Sequence, residues 1–222
     1  MLGHPGVDFF DLDHTLLAGS SGVQFLLQGI RRGVFPVLSA IFIPLFYVRY
    51  RLGLINPEAE TWSFSVVRGR SRALLEELAL ESFLTLRAKI YPQARALIAA
   101  CKADGRTVAL ATSSILTAVQ PLAQELGIDE VIASSLEFDG DRCTGRFNEP
   151  PLLGEQKKAK VLRFLQKRGV SPSDCSFYTD SISDLPLLEV VGRPMAVNPD
   201  PRLRRAARIR GWTVLRFGLQ SR

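Results

Sequence analysis

Two carboxylates two residues apart, Asp11 and Asp13 in Asp11-Leu12-Asp13-His14-Thr15, follow directly on the short apolar segment Val7-Asp8-Phe9-Phe10. The segment is β-branched and aromatic and reads as a buried strand running into a loop. Side chains two apart on a strand share a face, and where strand gives way to loop they can divide roles. Two charges that close repel, and burying them is costly without a cation or a proton between them. The pair therefore calls for a metal, a shared proton, or both. Acidic pairs also serve as solvated turns and helix caps, so the pair alone assigns nothing. Three further groups sit at matching places. Thr107-Val108-Ala109-Leu110-Ala111 ends in the hydroxyls Thr112-Ser113-Ser114, Gly154-Glu155-Gln156-Lys157 opens a helix, and Ser176-Phe177-Tyr178-Thr179 leads into Asp180-Ser181-Ile182-Ser183-Asp184. Ligands of open α/β sheets bind beyond the carboxyl ends of the strands. Three such strands would deliver Asp11, Asp13, Thr112, Asp180 and Asp184 to one place, with Lys157 nearby.

The elements that must hold these groups alternate in βα order, which predicts an α/β fold with a doubly wound, Rossmann-like parallel sheet. Strands are predicted near 7–11, 107–112, 131–134, 176–180, 195–197 and 213–217. Helices are predicted over 93–104, 115–127, 156–168 and 201–210, the first closed by Asp104-Gly105. Residues 136–147 alternate around Asp139-Gly140 and read as a β-hairpin. Between Thr15 and about Lys89 only helical periodicity appears.

The run DLDHT, then ATSS, then a lysine, then YTDSISDLPLL resembles the haloacid dehalogenase superfamily of phosphohydrolases over nearly the whole chain. The downstream Val191-Gly192-Arg193-Pro194-Met195-Ala196-Val197-Asn198-Pro199-Asp200 and Gly211-Trp212 are similar to its phosphoserine-phosphatase-like branch. The resemblance implies a phosphatase core of residues 1–16 plus 90–222 and a helical cap of residues 17–89. It implies Asp11 as nucleophile, Asp13 as general acid and base, and Mg²⁺ held by the Asp11 side chain, the Asp13 backbone carbonyl and Asp180. Asp184 would hold a metal-bound water or lean on Lys157 from behind. Thr112 and Lys157 would neutralise the phosphoryl oxygens. Lys158 and Lys160 stand as alternatives to Lys157, which fits best because it opens the helix. His14 is read as a loop residue, and Asp8 and Asp104 as structural. Members that dehalogenate lack a carboxylate at the Asp13 position, so its presence implies phosphate-ester hydrolysis, with phosphotransfer to an alcohol drawing on the same residues. A non-catalytic membrane-surface or scaffold protein is the reading of a different class, and the intact acidic set argues against it.

Composition agrees with one compact enzyme. The 222 residues are 46% hydrophobic, which excludes intrinsic disorder. Cys101, Cys143 and Cys175 are odd in number and lack any C-x-x-C, which predicts reduced thiols and a cytoplasmic setting. Met1 to Gly6 is too short and polar for a signal peptide. The net charge of +6 includes Arg202, Arg204, Arg205, Arg208 and Arg210 on one short helix. No reading motif or stacking aromatics accompany them, so no nucleic-acid partner is expected. A positive field still favours encounter with phosphorylated substrates.

The insertion carries the individuality of this chain. No acidic residue occurs from His14 to Pro57, and Arg31, Arg32, Arg49 and Arg51 bracket the apolar run Val34–Val48. Its fifteen residues fall short of the ~20 needed to span a bilayer. Two readings stand. One is a buried helical hairpin. The other is an interfacial segment at the inner membrane face, with Phe35, Phe42, Phe46, Tyr47 and Tyr50 in the acyl boundary and the arginines on anionic headgroups. Phosphoserine phosphatases carry a glutamate nine residues after the nucleophile to grip the amino group, and here that position is Ser20. The expected substrate is a small phosphomonoester. The acid-free insertion also resembles bacterial phosphatidylglycerophosphatase-type members, which brings in a lipid phosphate as the alternative. No oligomeric state is assigned.

Overall fold

The computed structural model describes residues 6–40, 65–128 and 130–219. Its strands are β1 (Val7–Phe10), β2 (Thr107–Ile115), β3 (Glu130–Ser134), β4 (Leu136–Asp139), β5 (Arg142–Phe147), β6 (Ser176–Thr179), β7 (Arg193–Val197) and β8 (Thr213–Leu215). The helices are α1 (Ser21–Arg31), α2 (Arg72–Leu86), α3 (Pro92–Ala103), α4 (Leu116–Glu125), α5 (Glu155–Arg168), α6 (Leu185–Leu188) and α7 (Pro201–Arg210). Six strands form one parallel sheet in the order β3-β2-β1-β6-β7-β8, and β4 and β5 pair as an antiparallel hairpin. Chain order reverses direction between β1 and β6, a switch point that opens a crevice beyond their carboxyl ends.

The period-2 alternation of the strands sorts the core into two layers. Val7, Phe9, Ala109, Ala111 and Phe177 face the side covered by α5, α6 and α7, where Val161, Leu165, Leu188 and Leu203 pack. Phe10, Val108, Leu110 and Tyr178 face α3 and α4 through Ile98, Val119 and Leu122. The Phe10 and Tyr178 rings stack across β1 and β6 at 4.4 Å, locking the register of the two strands that flank the switch point. This is the predicted doubly wound, Rossmann-like sheet. Several boundaries shift by a residue or two, and β2 continues three residues further, to Ile115, so Ser113 and Ser114 lie within the strand and α4 starts after them.

Asp8 lies toward the amino end of β1, away from the crevice. It is 2% exposed and takes two hydrogen bonds from the Arg106 guanidinium, at 2.6 and 2.9 Å. Burial pushes the Asp8 carboxyl up, but hydrogen bonds from Arg106, Ser176 and Cys101 and the Arg106 charge outweigh it, leaving the carboxyl below its ordinary value. Its stabilising contribution is therefore in place above the ordinary carboxylate pKa and is lost as pH falls through the lowered folded value. Arg106→Ala strands a buried carboxylate and is expected to cost about 3–5 kcal/mol in denaturant unfolding at neutral pH, with a flatter acid limb than wild type. A loss below about 1 kcal/mol would show that the pair behaves as a surface contact.

The insertion leaves and re-enters the sheet at one point. Ala18 N–H donates to Lys89 O at 2.8 Å, and Tyr91 N–H donates to Leu16 O at 3.0 Å. Beyond that hinge, α1 and α2 are joined by Arg32, which pairs with Glu77 and Glu81, and by Gln28 donating to Glu81. Phe25, Phe35, Leu75, Leu78 and Ala118 form a third apolar cluster, closed by Leu136 and Cys143 of the hairpin. The hairpin is stitched to the approach of α2, with Gly69 N–H donating to Cys143 O and Cys143 N–H to Arg70 O.

Most of the apolar run Val34–Val48 lies outside the described residues, as do Phe42, Phe46, Tyr47, Tyr50, Arg49 and Arg51. Of the five aromatics expected at a lipid boundary, Phe35 is described, and it points inward. It is 2% exposed, and its ring lies so close to Gly29 that a Cβ there would meet it at 2.0 Å. Arg32, one of the four expected headgroup arginines, is engaged with α2 instead. Among the described residues no helix is long and apolar enough to cross a membrane. Cys101, Cys143 and Cys175 are free thiols, all buried.

Candidate active site

Each expected site residue sits at the carboxyl-end crevice. Asp11 follows β1, and its N–H extends the ladder to Tyr178 O at 2.8 Å. Asp180 follows β6 in the same way and is 4% exposed. Thr112 lies on β2, two residues past the Leu110 that pairs with Phe10, and is 1% exposed. Lys157 enters from the first turn of α5, after Gly154 whose φ of 50° turns the chain into the helix.

Lys157 is the electrostatic centre. At 1% exposure its ammonium donates to Asp11 Oδ1 at 3.1 Å and lies 2.7 and 2.9 Å from the two Asp184 oxygens. Asp184 also accepts from Thr179 Oγ1 at 2.7 Å. Of the two roles expected for Asp184, the contact with Lys157 matches the second. The neighbouring lysines are used elsewhere, Lys158 with Glu155 and Lys160 with Glu149. A buried ammonium between two carboxylates neutralises one of them, so the site holds excess negative charge. Burial pushes the Asp11 carboxyl up to about 7, against the pull of Lys157 and with the Asp184 and Asp13 charges adding to the rise.

Asp13 is turned away from Lys157 toward α1. Its Oδ1 accepts from Ser21 N–H at 2.9 Å, and its Oδ2 accepts from Ser20 Oγ at 2.9 Å and Ser114 Oγ at 3.3 Å. Ser20 is also the N-cap of α1, accepting from Val23 N–H. The Ser21 and Ser114 hydroxyls meet at 2.8 Å, and Ser114 N–H donates to Thr112 Oγ1 at 3.3 Å. The two carboxylates of the opening motif therefore face different partners, Asp11 a cation and Asp13 a set of neutral donors. His14 turns the loop with φ 60° and donates its N–H to Gly19 O.

Sequence reasoning missed the residues that hold the loops. Ser20 stands out in the sequence only at the position of the missing glutamate, although Ser before an amphipathic helix is an N-cap signal. Asp200 is a second such residue, with no role assigned from sequence. Its Oδ1 caps α7 by accepting from Arg202 and Leu203 N–H, its Oδ2 accepts from Ile182 N–H at 2.7 Å, and its N–H donates to Asp180 O at 2.8 Å. It thereby ties the Asp180–Asp184 loop to α7. The signal was present as Asp200-Pro201, a cap followed by proline at the first helical position.

Oxygen donors from two adjacent strand ends, one buried ammonium and hydroxyls on β2 make a site suited to a phosphoryl group. Comparison with known proteins agrees. Residues 9–189 match the haloacid dehalogenase-like hydrolase family. A probable phosphatase of Mycobacterium tuberculosis is 34% identical over 94% of this chain and 74% of its own length. The histidinol-phosphatase of Neisseria meningitidis serogroup C is 30% identical over 94% of this chain and 97% of its own. A Bordetella pertussis protein of unknown function has a crystal structure similar at TM-score 0.84 and 31% identity, covering 96% of this chain and 99% of that one. A substrate-bound phosphoserine phosphatase shares the fold at TM-score 0.71 and 18% identity, covering 96% and 93%. On its sequence match and its relatives together, the chain belongs to the haloacid dehalogenase-like hydrolase family, as a phosphoric monoester hydrolase.

Proposed function

We propose that this chain is a Mg²⁺-dependent phosphatase that hydrolyses a small phosphomonoester through an aspartyl-phosphate on Asp11. The observation that carries the reading is the buried Lys157 bridging Asp11 and Asp184 at the mouth of β1 and β6. The donor set suits a hard divalent cation. Asp11 and Asp180 stand at the ends of adjacent strands, both more than nine-tenths buried, where negative charge exceeds the single ammonium. Mg²⁺ is usually held by one or two carboxylates together with water and substrate phosphate. Among the described residues no three His, Cys, Asp or Glu side chains close into a full cage, and such a site needs none. Asp11, the Asp13 carbonyl and Asp180 would hold the ion, which when bound screens the carboxylates from the incoming phosphate.

In the first half-reaction an Asp11 carboxylate oxygen attacks phosphorus, the bond to the leaving oxygen breaks, and Asp13 delivers a proton to the departing alkoxide. In the second, Asp13 takes a proton from a water that attacks the same phosphorus, releasing phosphate and regenerating Asp11. Lys157 and the Thr112 hydroxyl neutralise the equatorial oxygens, and Asp184 keeps the ammonium aimed. Residues 17–89 act as a cap, with the hinge at Leu16–Ala18 and Lys89–Tyr91 and α1 bringing Ser20 and Ser21 to Asp13.

The deciding experiment is hydrolysis of para-nitrophenyl phosphate with Mg²⁺, in wild type and Asp180→Ala. Excess EDTA should silence the wild type and Mg²⁺ restore it. The variant should need far more Mg²⁺ or stay inactive. Undiminished activity in chelator would refute the metal assignment.

A further inference from the structure

The side of the site that must receive the leaving alcohol is built from uncharged groups of α1. Ser20 Oγ and Ser21 N–H reach Asp13, and the face of α1 turned into the protein continues with Gln24, Phe25 and Gly29. Gln24 lies three residues beyond Ser21, one turn along the same face. Long side chains on a helix lean toward its N-terminus, which carries the Gln24 amide back over the turn holding Ser20 and Ser21. Gln24 is 8% exposed, and its Nε2 is buried with no hydrogen-bond partner among the described residues. A buried amide donor left unpaired is a cost that folding has no reason to accept. Placed one turn from the proton-handling carboxylate, it is accounted for by an acceptor on the bound molecule.

The charge pattern narrows what that molecule carries. The first turn of α1 has no acidic residue, and none occurs from His14 to Pro57. Both Asp13 oxygens already accept hydrogen bonds, three in all. An ammonium on the leaving alcohol would meet no spare carboxylate from α1, whereas a hydroxyl, carbonyl or carboxylate would meet the Gln24 amide. Resting on the placement of the leaving group beside Asp13 given above, we propose that Gln24 is a specificity-determining residue. It donates from Nε2 to a neutral or anionic acceptor on the alcohol, and the enzyme disfavours phosphomonoesters whose alcohol bears an ammonium.

Matched pairs test this: 3-phosphoglycerate against O-phosphoserine, and 2-hydroxyethyl phosphate against phosphoethanolamine. Within each pair a hydroxyl replaces an ammonium on the same carbon skeleton. Wild-type kcat/KM should favour the hydroxyl member tenfold or more in both pairs. Gln24→Leu removes the donor at similar volume, so its melting temperature should hold or rise while that preference falls at least tenfold, because a site built to pair with a polar group loses discrimination without it. Gln24→Glu should raise the ammonium members relative to the hydroxyl members, and serves alone if the leucine variant fails to fold. A wild type that favours the ammonium members, or variants whose ratios match wild type, would overturn the inference. A wild type that releases no phosphate from these esters or from para-nitrophenyl phosphate with Mg²⁺ would overturn the activity itself, and the inference with it.

Discussion

Asp11→Asn is expected to abolish phosphatase turnover, by on the order of 10⁴- to 10⁶-fold, while leaving the fold intact. The amide matches the carboxyl in size but offers no anionic oxygen to attack phosphorus, so the covalent intermediate cannot form. Stability should hold or increase. Burial pushes the Asp11 carboxyl up to about 7, with the Asp184 and Asp13 charges adding to the rise, so removing its charge relieves repulsion while Lys157 keeps Asp184. Thermal unfolding and phosphate release measured on one preparation check both halves. Beryllofluoride with Mg²⁺, a mimic of the acyl phosphate, should stabilise wild type and not the variant. A folded Asp11→Asn protein with near wild-type activity would end the aspartyl-phosphate reading.

Lys157→Met should fail in both respects at once. The ammonium is 1% exposed and faces two carboxylates that are themselves 3% and 1% exposed. Its removal takes the ammonium partner from both, a change of the kind that costs about 3–5 kcal/mol. Activity should fall by roughly 10²- to 10³-fold or more, the usual consequence of losing one charge-stabilising donor. The double variant Lys157→Met/Asp184→Asn separates the two effects. It removes both members of the 2.7 Å pair, so much of the stability should return while activity does not. If stability in denaturant stayed at the level of the single variant, the pair would not be the source of the loss. If activity returned, Lys157 would have no place in the chemistry.

Much of this protein was legible in the chain itself because the relevant signals are local. A short apolar run ending in Asp11 and Asp13, another ending in Thr112 and a third ending in Asp180 are each contained within about ten residues. Strand alternation, the Asp139-Gly140 turn and the Asp104-Gly105 helix stop are likewise written in neighbours. The order of β and α elements then leaves a parallel, doubly wound sheet as the arrangement that buries both faces. Carboxyl ends collecting at one edge follow from that arrangement.

What only the tertiary structure decided depends on pairs distant in sequence. Lys157 rather than Lys158 or Lys160 reaches Asp11 and Asp184, because helical rotation turns one of the three inward and the others toward Glu155 and Glu149. The partners of Asp13 come from α1 and β2, with Ser114 a hundred and one residues away. By sequence, Phe35 and Arg32 suit either a packed interior or a lipid boundary. Their engagement with Gly29 and with Glu77 and Glu81 follows from where α2 lies against α1. Hydrophobic pattern states that a side chain must leave water, whereas the surface that removes it is set by elements brought together across the fold.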